Sequence, residues 1–241
     1  MSVSISALTV RTGLSQMKES LLDLLFPRRC AGCGKEGDFL CAACSNTLAK
    51  LEAPVCARCG FPMKGRNTCP DCGGLALAID GIRSPYLHEG LARDLVHSLK
   101  YNNLKALSRP VARLMAKYLE SNPLPADSLM AVPIHSKRMR KRGYNQSELV
   151  TGELSRLAGL PRVSGALIRL RNTPSQVKLG AHERRANVAG AFVCRDRAVE
   201  GKRVLLIDDV CTTGATLNAC AAALKEAGAV TVWGLTFSRE C

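Results

Sequence analysis

The chain has 241 residues, 46% of them hydrophobic and 4% aromatic, and a formal charge of +14. That length suits one full domain plus a small module, and the aliphatic content excludes a wholly disordered chain. No apolar run approaches the ~18 residues of a membrane span; Met1 to Thr12 lacks a basic-then-apolar export pattern, so the expected compartment is the cytoplasm.

Leu14, Met17, Leu21, Leu24 and Leu25 recur at steps of three and four, which predicts an amphipathic helix from Ser15 to Phe26, stopped by Pro27. Four C-x-x-C pairs follow: Cys30/Cys33, Cys41/Cys44, Cys56/Cys59 and Cys69/Cys72. In a chain without an export signal such pairs read as metal ligands rather than disulfides. Each turn aims two thiolates at one point, so eight thiolates fill two tetrahedral zinc sites with no open position for a catalytic water. Zinc is therefore expected in two structural copies. Pairing neighbours in sequence closes the shortest loops; interleaved pairing uses the same ligands and stays open, as do an iron–sulfur cluster and a redox dithiol. Gly34, Gly60 and Gly73 each follow a second cysteine, where a tight turn needs them. Cys194, Cys211, Cys220 and Cys241 stand outside the pairs and read as small, partly buried packing residues.

Beyond residue 78 the pattern changes. Ile79–Leu87 reads as a strand, Leu91–Leu99 as a helix, and a second helix starts near Leu104 with Pro110 as a kink or restart. A strand at Ser128–Ile134, a basic loop, a helix at Gln146–Ala158 and a strand near Gly165–Leu170 follow. After a polar, arginine-rich stretch come a strand at Arg203–Asp208, a helix at Thr216–Ala227 and a strand at Val230–Phe237. Strands alternating with helices predict an α/β fold with a mostly parallel sheet. The expected organisation is a leader over 1–27, a cysteine module over 28–78 and an α/β domain over 79–241.

The charge is uneven. Residues 1–80 hold 9 Lys/Arg against 7 Asp/Glu, whereas Lys137–Arg185 alone holds 12 against 3. A block of this kind attracts polyanions, whether phosphorylated metabolites or nucleic acid; a solvated basic face is the plainer alternative.

The segment Asp208, Asp209, Val210, Cys211, Thr212, Thr213, Gly214, Ala215, Thr216 sits between a buried strand and a helix. Backbone N–H groups at a helix start form an anion cup, Gly214 lets the chain come close, and the threonine hydroxyls add donors. The two carboxylates are suited to accept hydrogen bonds from vicinal sugar hydroxyls. Together they describe a ribose 5-phosphate site. A Walker A loop is excluded because no lysine follows the glycine.

Val204 to Thr216 resembles the phosphoribosyl pyrophosphate signature of type I phosphoribosyltransferases. The chain as a whole is similar to the ComF/GntX family, whose members are associated with natural competence. The likeness rests on Leu22 to Pro27, the four cysteine pairs, Leu95 to Tyr101, Val132 to Gln146, then Arg171, Thr173, Gln176, Glu183 to Asn187 and Ala191-Phe192. It implies a type I phosphoribosyltransferase fold, a twisted and mostly parallel sheet flanked by helices, with a hood over 81–127 and a flexible loop, behind a double zinc ribbon. It also implies a pyrophosphate loop at His135 to Gly143, with His135, Ser136, Lys137, Arg138 and Arg140. The flexible loop would run from Arg171 to Asn187, with Arg171, Gln176, Arg184 and Arg185 as contacts. Asp208, Asp209, Arg171 and Arg184 are the catalytic candidates, and Mg²⁺ is expected to arrive with phosphoribosyl pyrophosphate. The resemblance further implies a role in handling incoming single-stranded DNA alongside other competence proteins, with Arg140, Lys141, Arg142 and Tyr144 as contacts. Turnover on an unidentified base or amine, and non-catalytic sensing of the metabolite, are the alternatives.

Overall fold

The computed structural model describes residues 27–63, 68–70, 72, 76–172 and 187–241. The expected leader helix lies outside these. The chain divides into two compact units, 1–47 and 48–241, a division that falls inside the segment the sequence pattern groups as one cysteine module.

In the first unit, Arg29 and Glu36 form an antiparallel bridge and an exposed ion pair at 2.9 Å. A short helix α1 (Ala42–Asn46) follows, with the Cys41 side chain accepting from the Cys44 N–H as its cap. Such a segment has little apolar surface to bury and depends on something other than a core.

The second unit is built on a parallel sheet. Its strands are β1 (Gly81–Arg83), β2 (Tyr86–Leu87), β3 (Ser128–Ala131), β6 (Arg203–Cys211) and β7 (Thr231–Arg239), in the order β1-β7-β6-β3 with β2 also on β7. β4 (Leu167–Arg169) and β5 (Phe192–Cys194) form a separate antiparallel ribbon. The connecting helices are α2 (Gly90–Tyr101), α3 (Ser108–Ser121), α4 (Ser136–Arg142), α5 (Gln146–Ala158) and α6 (Ala215–Glu226). Val204, Leu205, Leu206 and Ile207 are fully buried, as expected for a central parallel strand covered on both faces. α3 and α5 pack together, α5 covers β3 and β6, and α6 lies against β7 and the ribbon. Leu206, Leu217, Leu224 and Val232 belong to the main core cluster. Each such side chain contributes roughly 1.5–3 kcal/mol on burial.

Most elements fall where periodicity puts them, and four differ for physical reasons. The expected Ile79–Leu87 strand breaks between Arg83 and Tyr86, where Pro85 has no N–H to give a ladder. Pro110 does not kink α3, because it sits in the first turn, where no intrahelical acceptor awaits its nitrogen. The expected basic loop is instead a helix, α4, capped by the His135 ring and ended by Gly143 at φ 80. β6 runs to Cys211, so Asp208 and Asp209 lie within the strand, paired along β7 as far as Arg239. Among the described residues no helix is long and apolar enough to cross a membrane.

Candidate active site and metal centres

The eight paired cysteines form two groups, Cys30/Cys33/Cys41/Cys44 and Cys56/Cys59/Cys69/Cys72, and within each the four sulfurs lie within 4.8 Å of one another. The sequential pairing is the one adopted. The Cys33–Cys41 and Cys59–Cys69 sulfur separations are 3.8 and 3.6 Å, close to the ~3.8 Å edge of a tetrahedron with zinc–sulfur bonds of about 2.3 Å. Backbone N–H groups point at the sulfurs, Cys41 to Cys30 at 3.4 Å and Cys69 to Cys56 at 3.3 Å. Burial works against the Cys30 and Cys56 thiolates, but these donors outweigh it and bring both down to about 6. Cys44, Cys59 and Cys72 are pushed the other way, Cys44 by its neighbouring cysteines and Cys59 and Cys72 by burial, but a closed set of four sulfurs at tetrahedral spacing fits structural zinc.

A cavity of about 1150 Å³ opens at the carboxyl ends of β3 and β6, lined by Val132, Pro133, the whole Asp208–Leu217 segment and a set of cations. That is where open α/β sheets bind ligands. Gly214 stands at the start of α6 with φ 75, and a Cβ there would come within 2.7 Å of Ile82 Cδ1. Only glycine fits. The first-turn N–H groups of α6 have no intrahelical acceptor and lie against this cavity. Thr213 Oγ1 accepts from the Ala215 N–H at 3.4 Å, holding the turn.

The two aspartates are fixed by residues from other elements. Asp209 is buried, with Lys100 Nζ at 2.7 Å from Oδ1 and Gln146 Nε2 donating to Oδ2 at 2.6 Å. Asp208 Oδ1 accepts from Ser147 Oγ at 2.8 Å and from the Asp209 N–H at 2.9 Å. Burial, then the neighbouring Asp209 carboxylate, push Asp208 up to about 7, against the opposing pull of Lys100 and Ser147. Burial disfavours the Lys100 charge, but Asp209 outweighs it and raises the ammonium above its usual range. Asn145 positions the start of α5 by donating to Val132 O at 3.0 Å and accepting from the Ser147 N–H at 3.1 Å. The acid pair is thus rigid before any ligand arrives.

The expected residues separate into those on the cavity wall and those away from it. Val210, Cys211, Thr212, Thr213, Gly214, Ala215 and Thr216 line it, as do Arg138, Lys141 and Arg142. His135, Ser136, Lys137 and Arg140 do not; His135 serves as the α4 cap instead. Arg171 is exposed, donates to the Ala189 carbonyl and is not on the wall. Gln176, Arg184 and Arg185 lie outside the described residues. Tyr144, expected at a nucleic-acid contact, is buried: its hydroxyl donates to Leu99 O at 2.5 Å and Lys105 Nζ lies 4.8 Å from its ring centroid. Tyr144 also lines the cavity, but at 7% exposure its ring leaves little face for stacking on a base. Sequence reasoning missed Lys100, Gln146, Ser147 and Arg169, of which Lys100, Gln146 and Arg169 line the cavity. The motif runs Leu95 to Tyr101 and Val132 to Gln146 contained two of them, Lys100 and Gln146, but nothing in either run marks a partner for a distant carboxylate.

Residues 21–73 match the family model for a double zinc ribbon domain, and residues 108–233 that for a phosphoribosyl transferase domain. Competence protein F of Haemophilus influenzae is 32% identical over 209 residues, 81% of this chain and 89% of that protein. DNA utilization protein YhgH of Salmonella typhi is 32% identical over 214 residues, 80% and 93% of the two chains. Among solved structures, adenine phosphoribosyltransferase from Thermoanaerobacter pseudethanolicus is similar at TM-score 0.36 and 18% identity, covering 59% of this chain and 84% of that one.

Proposed function

The chain belongs to the ComF family, which joins a phosphoribosyltransferase domain to a double zinc ribbon, and from that premise we propose that it binds 5-phosphoribosyl-1-pyrophosphate in the cavity above β6. One observation carries the reading: a fixed aspartate pair in β6 runs directly into a glycine turn and helix start on the wall of one cavity. In this reading the helix start and the Thr212 and Thr213 hydroxyls take the 5-phosphate, and the Asp208 and Asp209 carboxylates take the ribose hydroxyls. Lys100 must then release Asp209, or share it. Arg138, Lys141, Arg142 and Arg169 face the pyrophosphate, where fixed cations would neutralise a leaving group. Mg²⁺ would enter with the pyrophosphate, since magnesium favours one or two carboxylates with phosphate oxygens and the Asp208 and Asp209 carboxylates stand on the cavity wall.

The cavity exceeds the ~300–1,000 Å³ usual for a small ligand, so an acceptor could share it. Turnover would then be loss of pyrophosphate from the ribose anomeric carbon to a base or amine. Calorimetric titration with phosphoribosyl pyrophosphate and Mg²⁺ tests binding. Release of pyrophosphate across a panel of bases tests turnover. Heat of binding without release would leave a metabolite sensor.

A second reading, handling of single-stranded DNA in competence, draws on what the relatives' names say of them and on one surface feature. Tyr101, 67% exposed on the cavity wall, has the His97 ring at 4.9 Å and the Arg142 guanidinium at 5.5 Å. An open ring beside the half-buried Arg142 guanidinium suits stacking of a base with its phosphate neutralised. Tyr101, and not Tyr144, is the aromatic candidate.

A further inference from the structure

Arg239 ends β7 and lies opposite Cys211 in the pairing of β6 with β7. It is 3% exposed. One guanidinium nitrogen donates to the Cys59 carbonyl at 2.6 Å and lies 2.9 Å from Cys211 Sγ. Its Nε is buried without a partner, and among the described residues no carboxylate forms an ion pair with it. The Phe61 ring lies 5.5 Å from its guanidinium carbon, yet a buried guanidinium without a paired charge is costly unless negative charge stands nearby. Four thiolates around one divalent ion leave a net negative charge, and the residue that receives Arg239's hydrogen bond, Cys59, is one of those ligands.

A second link runs beside the first. The Ile82 N–H donates to Arg58 O at 2.7 Å, within the Cys56–Cys59 turn. A Cβ on Gly60 would meet Ile82 O at 2.6 Å, and one on Gly214 would meet Ile82 Cδ1 at 2.7 Å. The metal-binding turn and the Gly214 turn therefore both approach Ile82 too closely to admit a Cβ, one at its carbonyl and one at the tip of its side chain.

We propose that Arg239 is the counter-charge of the Cys56/Cys59/Cys69/Cys72 centre and a positioning residue that couples occupancy of that centre to the shape of the Cys211–Gly214 turn. With zinc in place the guanidinium stays buried and holds Cys211. Once the metal leaves, nothing draws the four sulfurs together, the Cys56–Cys59 turn that Arg239 and Ile82 grip is free to shift, and the Cys211 turn braced from it loosens. Linkage makes the effect reciprocal: whatever binds the turn must tighten the centre's hold on zinc. That last step rests on the phosphate reading above; the link from the centre to Cys211 does not.

The test uses the full zinc-loaded chain, a chelating dye to follow metal release and N-ethylmaleimide to label thiols, with labelled cysteines located by peptide mass mapping. In the natural protein Cys211 should stay unlabelled until the second centre loses its ion, then react in step with it. Arg239→Met should speed both release from that centre and labelling of Cys211 by at least about tenfold, leave release from Cys30/Cys33/Cys41/Cys44 unchanged, and be partly rescued by Arg239→Lys. Phosphoribosyl pyrophosphate with Mg²⁺ should slow release from the second centre alone. Arg239→Met behaving as the natural protein, or speeding both centres equally, overturns the proposal. Should that variant not fold, the natural protein decides: Cys211 still protected after both ions have left overturns it equally. An intact labelling pattern that the metabolite does not alter refutes only the phosphate reading.

Discussion

The two cysteine groups share ligands and the C-x-x-C spacing within each pair, yet differ in their surroundings. In the first, Cys33 is exposed and Cys41 and Cys44 are half-buried. In the second all four are buried, packed with Met63 and Leu77, and the turn is bound by hydrogen bonds to β1 and to Arg239 at the end of β7. Identical metal chemistry therefore serves two ends. The first group closes a small unit whose described residues bury little apolar surface, whereas the second is part of the foundation of a larger one. Ligand spacing reveals the metal, and burial reveals what depends on it.

The largest expected effect tests this directly. Cys59→Ser should cost the second unit its cooperative unfolding transition and its phosphoribosyl pyrophosphate binding, because structural zinc supplies folding energy on the order of 10 kcal/mol. Cys33→Ser should also lower the zinc content by one ion while leaving that binding nearly intact. Metal analysis with calorimetry on both variants is the check, and equal loss in the two would erase the distinction.

Next in size is Gly214→Val. The valine Cβ would meet Ile82 at 2.7 Å, and φ 75 is unfavourable for a branched residue, so roughly 2–4 kcal/mol of stability should go. Ligand affinity should fall by more than about 100-fold, because the turn can no longer approach a phosphate. Stability should drop in the second unit's transition only.

The aspartate pair gives a smaller, pH-dependent effect. Asp208 is raised to about 7 by burial and by Asp209, above its unfolded value of about 4. Between those values the folded protein holds a proton that the unfolded chain lacks, so this group's contribution to stability falls as pH rises through the interval. Asp208→Asn should remove that dependence and raise the melting temperature at pH 8 by a few °C, while Asp208→Asn with Asp209→Asn weakens ligand binding severely. In the natural protein affinity should fall from pH 8 to pH 6, as protonated Asp208 stops accepting from a ribose hydroxyl. Thermal scans and titrations at the two pH values measure both.

The contrast between foundation and surface also marks what could be read from sequence. The four C-x-x-C pairs, the Asp208–Thr216 run and most helix limits follow from local spacing, and local spacing suffices for them. Lys100, Gln146, Ser147 and Arg239 act through partners 28 to 180 positions away, brought close by sheet register and helix packing that no local pattern encodes. Arg239 in particular reads as an ordinary charge at the chain's end until β6 and β7 place it beside Cys211. The basic run at Lys137 to Arg142 misleads in the other direction: its charge suggests a loop, but the His135 cap and Gly143 stop make it a helix that points only some of its cations into the cavity.

That helix supplies the smallest effect on the folded protein and the sharpest test of the surface side of the contrast. Arg140, on α4, is exposed and off the cavity wall, while Lys141 and Arg142 line it. Replacing all three by alanine removes no buried group of the core, so the melting temperature should move little. If these cations contact DNA phosphates, affinity for single-stranded DNA should fall as salt rises, with a log–log slope of roughly −0.7 per phosphate contacted. The triple variant should then lose both affinity and slope, whatever the base sequence. Phosphoribosyl pyrophosphate should compete only in part, because Arg140 stands outside its cavity. Tyr101→Ala should weaken binding by roughly 1–3 kcal/mol at any salt, as loss of one stacked base would, whereas Tyr144→Ala should act through stability instead. Fluorescence anisotropy across a salt series separates these cases, and a salt-independent affinity unchanged by the triple substitution would leave the basic helix with the pyrophosphate alone.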